Sequence, residues 1–267
     1  MKRKQFLALS LAALVTACNT SNSNQQGSNS QQQDVPKVTL TVSAAASVQD
    51  AMKAVQLPFQ EKNPNIDVIY NFGSSGSLQQ QIEQGAPVDV FISASPKQMN
   101  ALQQKDLLLT KTRQDLLENS VVLVVPKESN QAATFETLPT TNFEKIALGD
   151  PGSVPAGQYG KEVLTSLKSY DKLMPKLVFG KDVRQVLFYV ETGNVDAGIV
   201  YGTDAKISDE VKIVATASKE SHSPIVYPVA VVEDSKNSDE AKEFIDFLFS
   251  DQAVKIFRDY GFNMAKN

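Results

Sequence analysis

The chain contains very few of the side chains that build disulfides, metal centres and most proton-transfer sites. Among its 267 residues there is one cysteine, Cys18, and one histidine, His222. A single cysteine cannot form an internal disulfide, and one cysteine with one histidine does not supply the ligands that zinc or copper needs. The Asp-x-Asn-x-Asp-Gly pattern of a calcium loop is also absent from the sequence. We therefore expect no direct protein–metal ligands and no cofactor.

Two common motifs of nucleotide binding and catalysis are incomplete. Gly152 and Gly157 have the spacing of a Walker loop, but Gln158 and Tyr159 stand where lysine and serine or threonine are required. Gly73 begins a Gly-Ser-Ser-Gly-Ser run in which the second glycine comes one place too early for a G-x-S-x-G nucleophile elbow. Both patterns argue against nucleotide binding and against esterase chemistry.

The N-terminus has the features of an export signal. Three positive charges in "MKRK" precede the apolar run "QFLALSLAALV", which is too short to span a bilayer with ease. The following Val15–Cys18 segment resembles a bacterial lipobox, in which the cysteine is lipidated and becomes the new N-terminus. The alternative is an ordinary secretory signal that ends near a buried cysteine. We expect a lipoprotein signal peptide over 1–17 and lipidation at Cys18.

A polar segment separates this signal from the rest of the chain. Residues 19–34 contain no large apolar side chain and cannot bury enough surface to offset the entropy of ordering them. We predict a flexible tether over 18–36. Removal of 1–17 leaves 23 basic and 30 acidic residues, a formal charge of −7. An acidic mature chain argues against a nucleic-acid partner.

The remaining chain alternates short β-branched runs with helical patterns, as "VTLTVSAA" followed by "VQDAMKAVQLPFQEKNP" illustrates. This alternation predicts an α/β fold with mostly parallel sheets flanked by helices. Two long apolar strands, "SVVLVVP" and "IVYPVAVV", are candidate crossovers between two lobes. We expect a discontinuous lobe I over 37–120 and 228–267, an inserted lobe II over 121–227, and a ligand cleft between the lobes.

Candidate binding groups lie where strands end and helices begin. Ligands of parallel α/β sheets bind at the carboxyl ends of strands, where the following helices present their N-termini. Each N-terminus offers unpaired N–H groups and a partial positive charge, so several of them can hold an anion without a cationic side chain. A serine at such a position can equally be a plain N-cap. The junctions contain Ser47, Ser74, Ser75, Ser77, Ala156 and Val183, and Tyr201 closes a further strand.

The ordered set of these segments resembles the molybdate-binding proteins of ABC importers, which are class II solute-binding proteins. The resemblance runs from about Lys37 to the C-terminus and includes "GSSGSLQQQIEQGAPVDVFISA", "GDPGSVPAGQYGKEVL", "KDVRQVL" and "GIVYG". It implies that molybdate is bound by Ser47, Ser75, Ala156, Val183 and Tyr201 through hydroxyl and backbone N–H groups. The family often has Ser-Ser-Ser-Thr where this chain has Ser-Ser-Gly-Ser, which leaves the hydrogen bonds of Gly76 open.

The resemblance also implies a function. We expect a monomeric, non-enzymatic lipoprotein that is anchored through Cys18 on the periplasmic side or outer face of the cell membrane. It would capture molybdate, and also tungstate, and deliver the anion to an ABC permease in the cytoplasmic membrane. Three alternatives stay open: a receptor for another tetrahedral oxyanion such as sulfate, a secreted hydrolase that uses Ser47 or Ser75 with His222 as its base, and an anion-binding adhesin or scaffold whose lobes do not close.

Overall fold

The computed structural model of the chain describes residues 37–266. The predicted signal peptide over 1–17, the lipidation site Cys18 and the predicted tether lie outside the described residues. Those three interpretations therefore remain predictions.

Within residues 37–266 the chain forms eleven strands and nine α-helices. The strands are β1 (Val38–Ala45), β2 (Ile66–Gly73), β3 (Val90–Ile92), β4 (Gln114–Glu118), β5 (Val121–Pro126), β6 (Ile146–Gly149), β7 (Leu177–Gly180), β8 (Ala197–Tyr201), β9 (Val211–Thr216), β10 (Val226–Val231) and β11 (Asn263–Met264). The helices are α1 (Gln49–Lys62), α2 (Ser75–Glu83), α3 (Pro96–Gln103), α4 (Pro155–Ser166), α5 (Tyr170–Leu173), α6 (Val183–Glu191), α7 (Gly202–Lys206), α8 (Ser238–Leu248) and α9 (Asp251–Asp259).

The strands form two sheets, each flanked by helices. The first has the order β11-β4-β10-β3-β1-β2 and the second the order β7-β6-β8-β5-β9. In the first sheet β1 pairs in parallel with β2 and β3, while β10 and β11 pair antiparallel. In the second, β6 pairs in parallel with β7 and β8, while β5 pairs antiparallel with β8 and β9. The two-lobed α/β fold is confirmed, but the sheets are mixed rather than mostly parallel.

The chain passes between the sheets twice. It leaves the first sheet after β4, enters the second at β5, and returns between β9 and β10. The two strands beside these crossings, β5 and β10, are the ones that pair antiparallel with the interior of their sheets, which explains the mixed pattern. The predicted boundary between 227 and 228 falls within β10, all of which pairs in the first sheet. The lobe boundaries themselves remain predictions.

Local chemistry explains where the helices next to the cleft begin. Ser74 caps α2, because its side chain accepts the Ser77 N–H at 3.2 Å. Asp182 caps α6 in the same way through the Gln185 N–H at 2.8 Å. Proline stands first in α4, where a missing N–H costs nothing and the fixed φ suits a helix. The three helix starts are thus fixed by their own residues.

Apolar side chains from both faces of each sheet are buried. In the first lobe, the Phe59 ring of α1 packs edge-on against Phe244 of α8, with ring centroids 5.0 Å apart. In the second lobe, Val186 and Val190 of α6 are fully buried, as is Ile199 of β8. None of the helices within residues 37–266 is long and apolar enough to cross a membrane.

Candidate functional site

A small cavity lies where helix starts from the two lobes meet. Its lining includes all five residues predicted to bind the anion: Ser47, Ser75, Ala156, Val183 and Tyr201. Ser47 and Ser75 come from the first lobe and the other three from the second. Each of the five is between 0% and 4% exposed. The structure therefore brings the five residues together, and their role in binding remains a prediction.

The backbone supplies donors that have no partner among residues 37–266. Ser75 and Val183 are the first residues of α2 and α6, and Ala156 is the second residue of α4. N–H groups at these positions cannot bond within their own helices. In the described part of the chain, none of the three donates to another backbone or side-chain acceptor. Three buried donors thus point to an acceptor from outside the described part of the chain.

The Ser75 hydroxyl is oriented by a bond from the backbone. Its oxygen accepts the Ala94 N–H at 2.9 Å, and this bond is buried. A hydroxyl has one hydrogen and two acceptor positions, so the bond uses one acceptor position and leaves the hydrogen available. Ser75 is therefore prepared to donate to a ligand in the cavity.

The Ser47 hydroxyl is oriented by a chain of three side chains. Its oxygen lies 2.9 Å from the Tyr227 hydroxyl, which accepts from the Asn119 side-chain amide at 3.2 Å. The Asn119 side-chain oxygen, Oδ1, accepts the Ser120 N–H at 2.9 Å, which fixes the orientation of the side-chain amide. Either hydroxyl of this pair can be the donor, and because Tyr227 accepts from Asn119 it can direct its own hydrogen to Ser47. The Ser47 hydrogen is then free for a ligand.

Sequence reasoning did not identify Asn119 or Tyr227. Tyr227 lies in the apolar run "IVYPVAVV", where a tyrosine resembles any other core residue. It is 180 residues from Ser47, so no local pattern connects the two. The one available signal was the position of both residues next to the predicted crossovers between the lobes.

Burial keeps the tyrosine hydroxyls at this site protonated. Burial raises the pKa of Tyr201 well above its ordinary value of 10.0, and it raises the pKa of Tyr227 in the same direction. Both groups are therefore neutral donors at neutral pH. The Tyr201 hydroxyl lies 3.5 Å from the Ala94 carbonyl oxygen, which is a weak bond at the limit of useful length.

The cavity lining within residues 37–266 contains no cationic side chain. Among the described residues around it, Asp182 alone carries an ionisable carboxyl or amine, and its carboxylate is used as the N-cap of α6. The positive potential comes instead from the helix starts. The arrangement can hold a small anion that accepts hydrogen bonds on all sides and donates none.

Gly76 marks a point where the lobes touch. Its N–H donates to the Ser153 carbonyl oxygen of the second lobe at 2.9 Å. A Cβ atom at this position would lie 2.5 Å from that oxygen and 2.7 Å from the Ser153 Cα. The Gly76 N–H therefore bonds the other lobe, which answers the question left by the Ser-Ser-Gly-Ser motif. It also explains why a residue without a side chain suits this chain.

His222 does not share the cavity with the serines. Its Nδ1 lies 2.7 Å from the Ser223 carbonyl oxygen, and it lines a different pocket near the second crossing. Within residues 37–266 neither Ser47 nor Ser75 bonds a histidine. A serine nucleophile activated by His222 is therefore not assembled.

The chain is similar to known proteins along most of its length. The sequence pattern of the family described as bacterial extracellular solute-binding protein matches residues 40–263. The chain is 50% identical over 256 residues to a Bacillus subtilis protein provisionally named ABC transporter substrate-binding lipoprotein YvgL, covering 96% of this chain and 95% of that one. It is 46% identical over 231 residues to the molybdate-binding protein ModA of Escherichia coli, covering 84% and 89%.

A solved structure is similar along the same region. It is the substrate binding domain of a protein provisionally named a molybdenum ABC transporter, from Clostridium difficile. The TM-score is 0.68 and the identity 46%, and the match covers 86% of this chain and 100% of that one. Sequence and fold thus point to the same group of proteins.

Proposed function

The chain belongs to the bacterial extracellular solute-binding protein family, and from this membership we propose that it captures molybdate outside the cytoplasm and delivers it to an ABC permease. The observation that carries the proposal is the buried cavity whose hydroxyl and N–H donors come from both lobes. The names of its relatives, one of which is a molybdate-binding protein of Escherichia coli, support the choice of anion.

The donor set favours a fully deprotonated tetrahedral anion. Molybdate is a dianion without a proton at neutral pH, so each of its oxygens can accept from a hydroxyl or an N–H group. Hydrogen phosphate brings an O–H group that needs an acceptor, and leaving that group unpaired in a closed cavity costs about 1–3 kcal/mol. Neutral donors also avoid a buried, unpaired cation when the cavity is empty.

Tungstate and sulfate share this acceptor-only chemistry. Tungstate has nearly the same size as molybdate, and we include it as a second ligand of the same site. Sulfate is smaller, so it would leave some of the donors from the two lobes without a partner. A sulfate receptor is therefore the second candidate, distinguished from the first by the fit of the cavity rather than by charge.

Family members bind solutes and are not enzymes, so the hypothesis of a secreted serine hydrolase is wrong. We further propose that Cys18 carries a lipid anchor on the periplasmic side or outer face of the cell membrane. The anchor and the tether would keep a monomeric receptor close to its permease and raise its effective concentration there. A relative provisionally named a lipoprotein supports this part of the proposal.

Isothermal titration calorimetry with four anions tests the proposal. The full chain with Cys18→Ser, which removes the predicted lipidation, is titrated with molybdate, tungstate, sulfate and phosphate after exhaustive dialysis to remove carried-over ligand. We expect one site per chain for molybdate and tungstate, much weaker binding of sulfate and none of phosphate. Tight binding of sulfate with none of molybdate would support the second candidate instead.

A further inference from the structure

Arg184 joins the two lobes beside the cavity. One terminal guanidinium nitrogen lies 2.6 Å from Asp50 Oδ2 on α1, and its Nε lies 2.7 Å from Asp204 Oδ1 on α7. Helix α1 packs in the first lobe, whereas α6 and α7 pack in the second. The Arg184–Asp204 pair is therefore internal to one lobe, and the Arg184–Asp50 pair crosses the cleft.

The internal pair holds the guanidinium in place. The Asp204 side chain is 0% exposed, and apart from this ion pair neither of its carboxylate oxygens has a hydrogen-bond partner within residues 37–266. Asp204 thus holds the Arg184 Nε within the second lobe and leaves a terminal guanidinium nitrogen directed at Asp50 of the first lobe. Fixing the arginine in advance reduces the side-chain entropy that a surface ion pair loses when it forms.

The crossing pair lies next to donors of both lobes. Asp50 is three residues after Ser47, and Arg184 directly follows Val183. When Asp50 and Arg184 are in contact, the Ser47 hydroxyl and the Val183 N–H line the same cavity. Arg184 itself does not line the cavity.

We propose that Arg184 is a positioning residue that holds the closed arrangement of the lobes without contacting the ligand. This inference rests on the proposed function, because a receptor that releases its ligand to a permease needs a closed state of limited stability. The Asp50–Arg184 pair is suited to this role. The pair is only partly buried, with the Asp50 side chain 36% and the Arg184 side chain 24% exposed. It can therefore break and re-form at little cost in desolvation.

Asp50→Asn is the main test, since it removes the crossing pair and leaves the buried Arg184–Asp204 pair intact. Asp239→Asn is the matched control, because it also removes one carboxylate that pairs with a cation, Lys242, on the exposed face of α8 outside the cavity lining. Arg184→Lys is the second variant: it keeps the charge but cannot bond both carboxylates in a fork.

Two readouts are measured in the full chain with Cys18→Ser. The first is the dissociation rate of molybdate by stopped flow, at low and high salt. The second is the distance between spin labels at Glu61→Cys and Lys172→Cys, one on each lobe, without added anion. We expect Asp50→Asn and Arg184→Lys to dissociate about three- to tenfold faster and to show a larger share of long distances. High salt should reduce the difference from the control, since the partly exposed pair is screened.

The outcomes separate this inference from the proposed function. If Asp50→Asn and Arg184→Lys show the same dissociation rates and label distances as Asp239→Asn, the role of Arg184 is overturned and the proposal of molybdate binding is unaffected. A chain that gives no heat with molybdate refutes the proposed function, and the label distances alone then decide the role of Arg184. Longer distances in Asp50→Asn would support it, and unchanged distances would overturn it.

Discussion

At the level of single residues, each serine hydroxyl in the cavity has one bond that sets its direction. The Ala94 N–H orients Ser75, and the Tyr227 hydroxyl orients Ser47. The Ala94 bond leaves the Ser75 hydrogen free, and the Tyr227 bond leaves the Ser47 hydrogen free when Tyr227 is the donor, so each serine can donate to an anion without first breaking a bond inside the protein. Preorganised donors of this kind lose little on binding.

Removal of either hydroxyl should therefore weaken binding. Charge-assisted hydrogen bonds contribute about 1.5–3 kcal/mol, so Ser47→Ala and Ser75→Ala should each raise the Kd for molybdate roughly 10- to 150-fold. Tyr201→Phe should lie at the low end of that range. Calorimetry measures all three, and unchanged affinity in both serine variants would refute the site.

Tyr227→Phe tests the chain of side chains behind Ser47. The variant removes a hydroxyl that does not contact the ligand, so Ser47 loses its orientation but keeps its own donor. We expect the Kd for molybdate to rise about 2- to 12-fold, the effect of one ordinary hydrogen bond. Tyr70→Phe is the matched control, because its hydroxyl bonds the Met52 carbonyl oxygen and neither residue lines the cavity. Equal effects of the two variants would contradict the orienting role.

Asp204 should make stability depend on pH. Burial raises the pKa of Asp204 from 3.8 to about 7, and the Arg184 guanidinium lowers it only in part. The pKa of Asp204 is higher in the folded state than in the unfolded state, so proton binding to Asp204 stabilises the fold. This stabilisation is fully present below about pH 4 and is lost as the pH rises through about 7.

Urea unfolding at about pH 5 and about pH 8 measures this loss. The unfolding free energy of the wild type should fall by about 2 kcal/mol more than that of Asp204→Asn, which has no proton to lose. Equal changes in the two proteins would show that Asp204 does not titrate in this range.

At the level of helices and strands, the sequence patterns predicted most of what surrounds the cleft. The serine run, the proline at the start of α4 and the valine that opens α6 all lie at strand-to-helix junctions, which local patterns reveal. The strands β4 and β11 were not predicted. The segment "QDLLE" has charged and amide side chains at its ends, and the two-residue β11 exists only because it pairs with β4.

Other features could not be inferred from local patterns. Whether β5 and β10 run parallel or antiparallel to their neighbours depends on how the chain crosses between the sheets, and both directions bury the same side chains. The Asn119–Tyr227 and Arg184–Asp50 contacts join residues 108 and 134 positions apart. Contacts between residues so far apart in the chain produce no periodic pattern in a single sequence.

The close approach of α2 to the second lobe gives a prediction for Gly76. A Cβ atom there would lie 2.5 Å from the Ser153 carbonyl oxygen, and backbone on both sides limits relaxation. Gly76→Ala should oppose closure by about 1–3 kcal/mol and raise the Kd for molybdate roughly 5- to 150-fold. The control is Gly152→Ala in the neighbouring loop, where the nearest atom is a flexible Asp150 oxygen at 3.3 Å. Wild-type affinity in Gly76→Ala would contradict the contact.

At the level of the whole molecule, ligand binding and stability should be linked. A ligand that binds only the folded state at a hundredfold excess over Kd stabilises it by about 2.7 kcal/mol. For a chain of this size each kcal/mol raises the melting temperature by about 2–4 °C, so it should rise by roughly 5–11 °C, and the transition should sharpen because the anion joins both lobes. Scanning calorimetry measures the shift, with phosphate at the same concentration as control. A melt that molybdate does not change would argue against a receptor for this anion.

The most direct test of the whole interpretation is a crystal structure of the full chain with Cys18→Ser and one equivalent of molybdate, measured at the molybdenum absorption edge. We predict a single anomalous peak in the cavity, with the oxygens about 2.7–3.2 Å from the Ser47 and Ser75 hydroxyls, the Ala156 and Val183 N–H groups and the Tyr201 hydroxyl. A crystal without any molybdenum peak would contradict the site and the proposed function together, and a peak elsewhere on the protein would contradict the site.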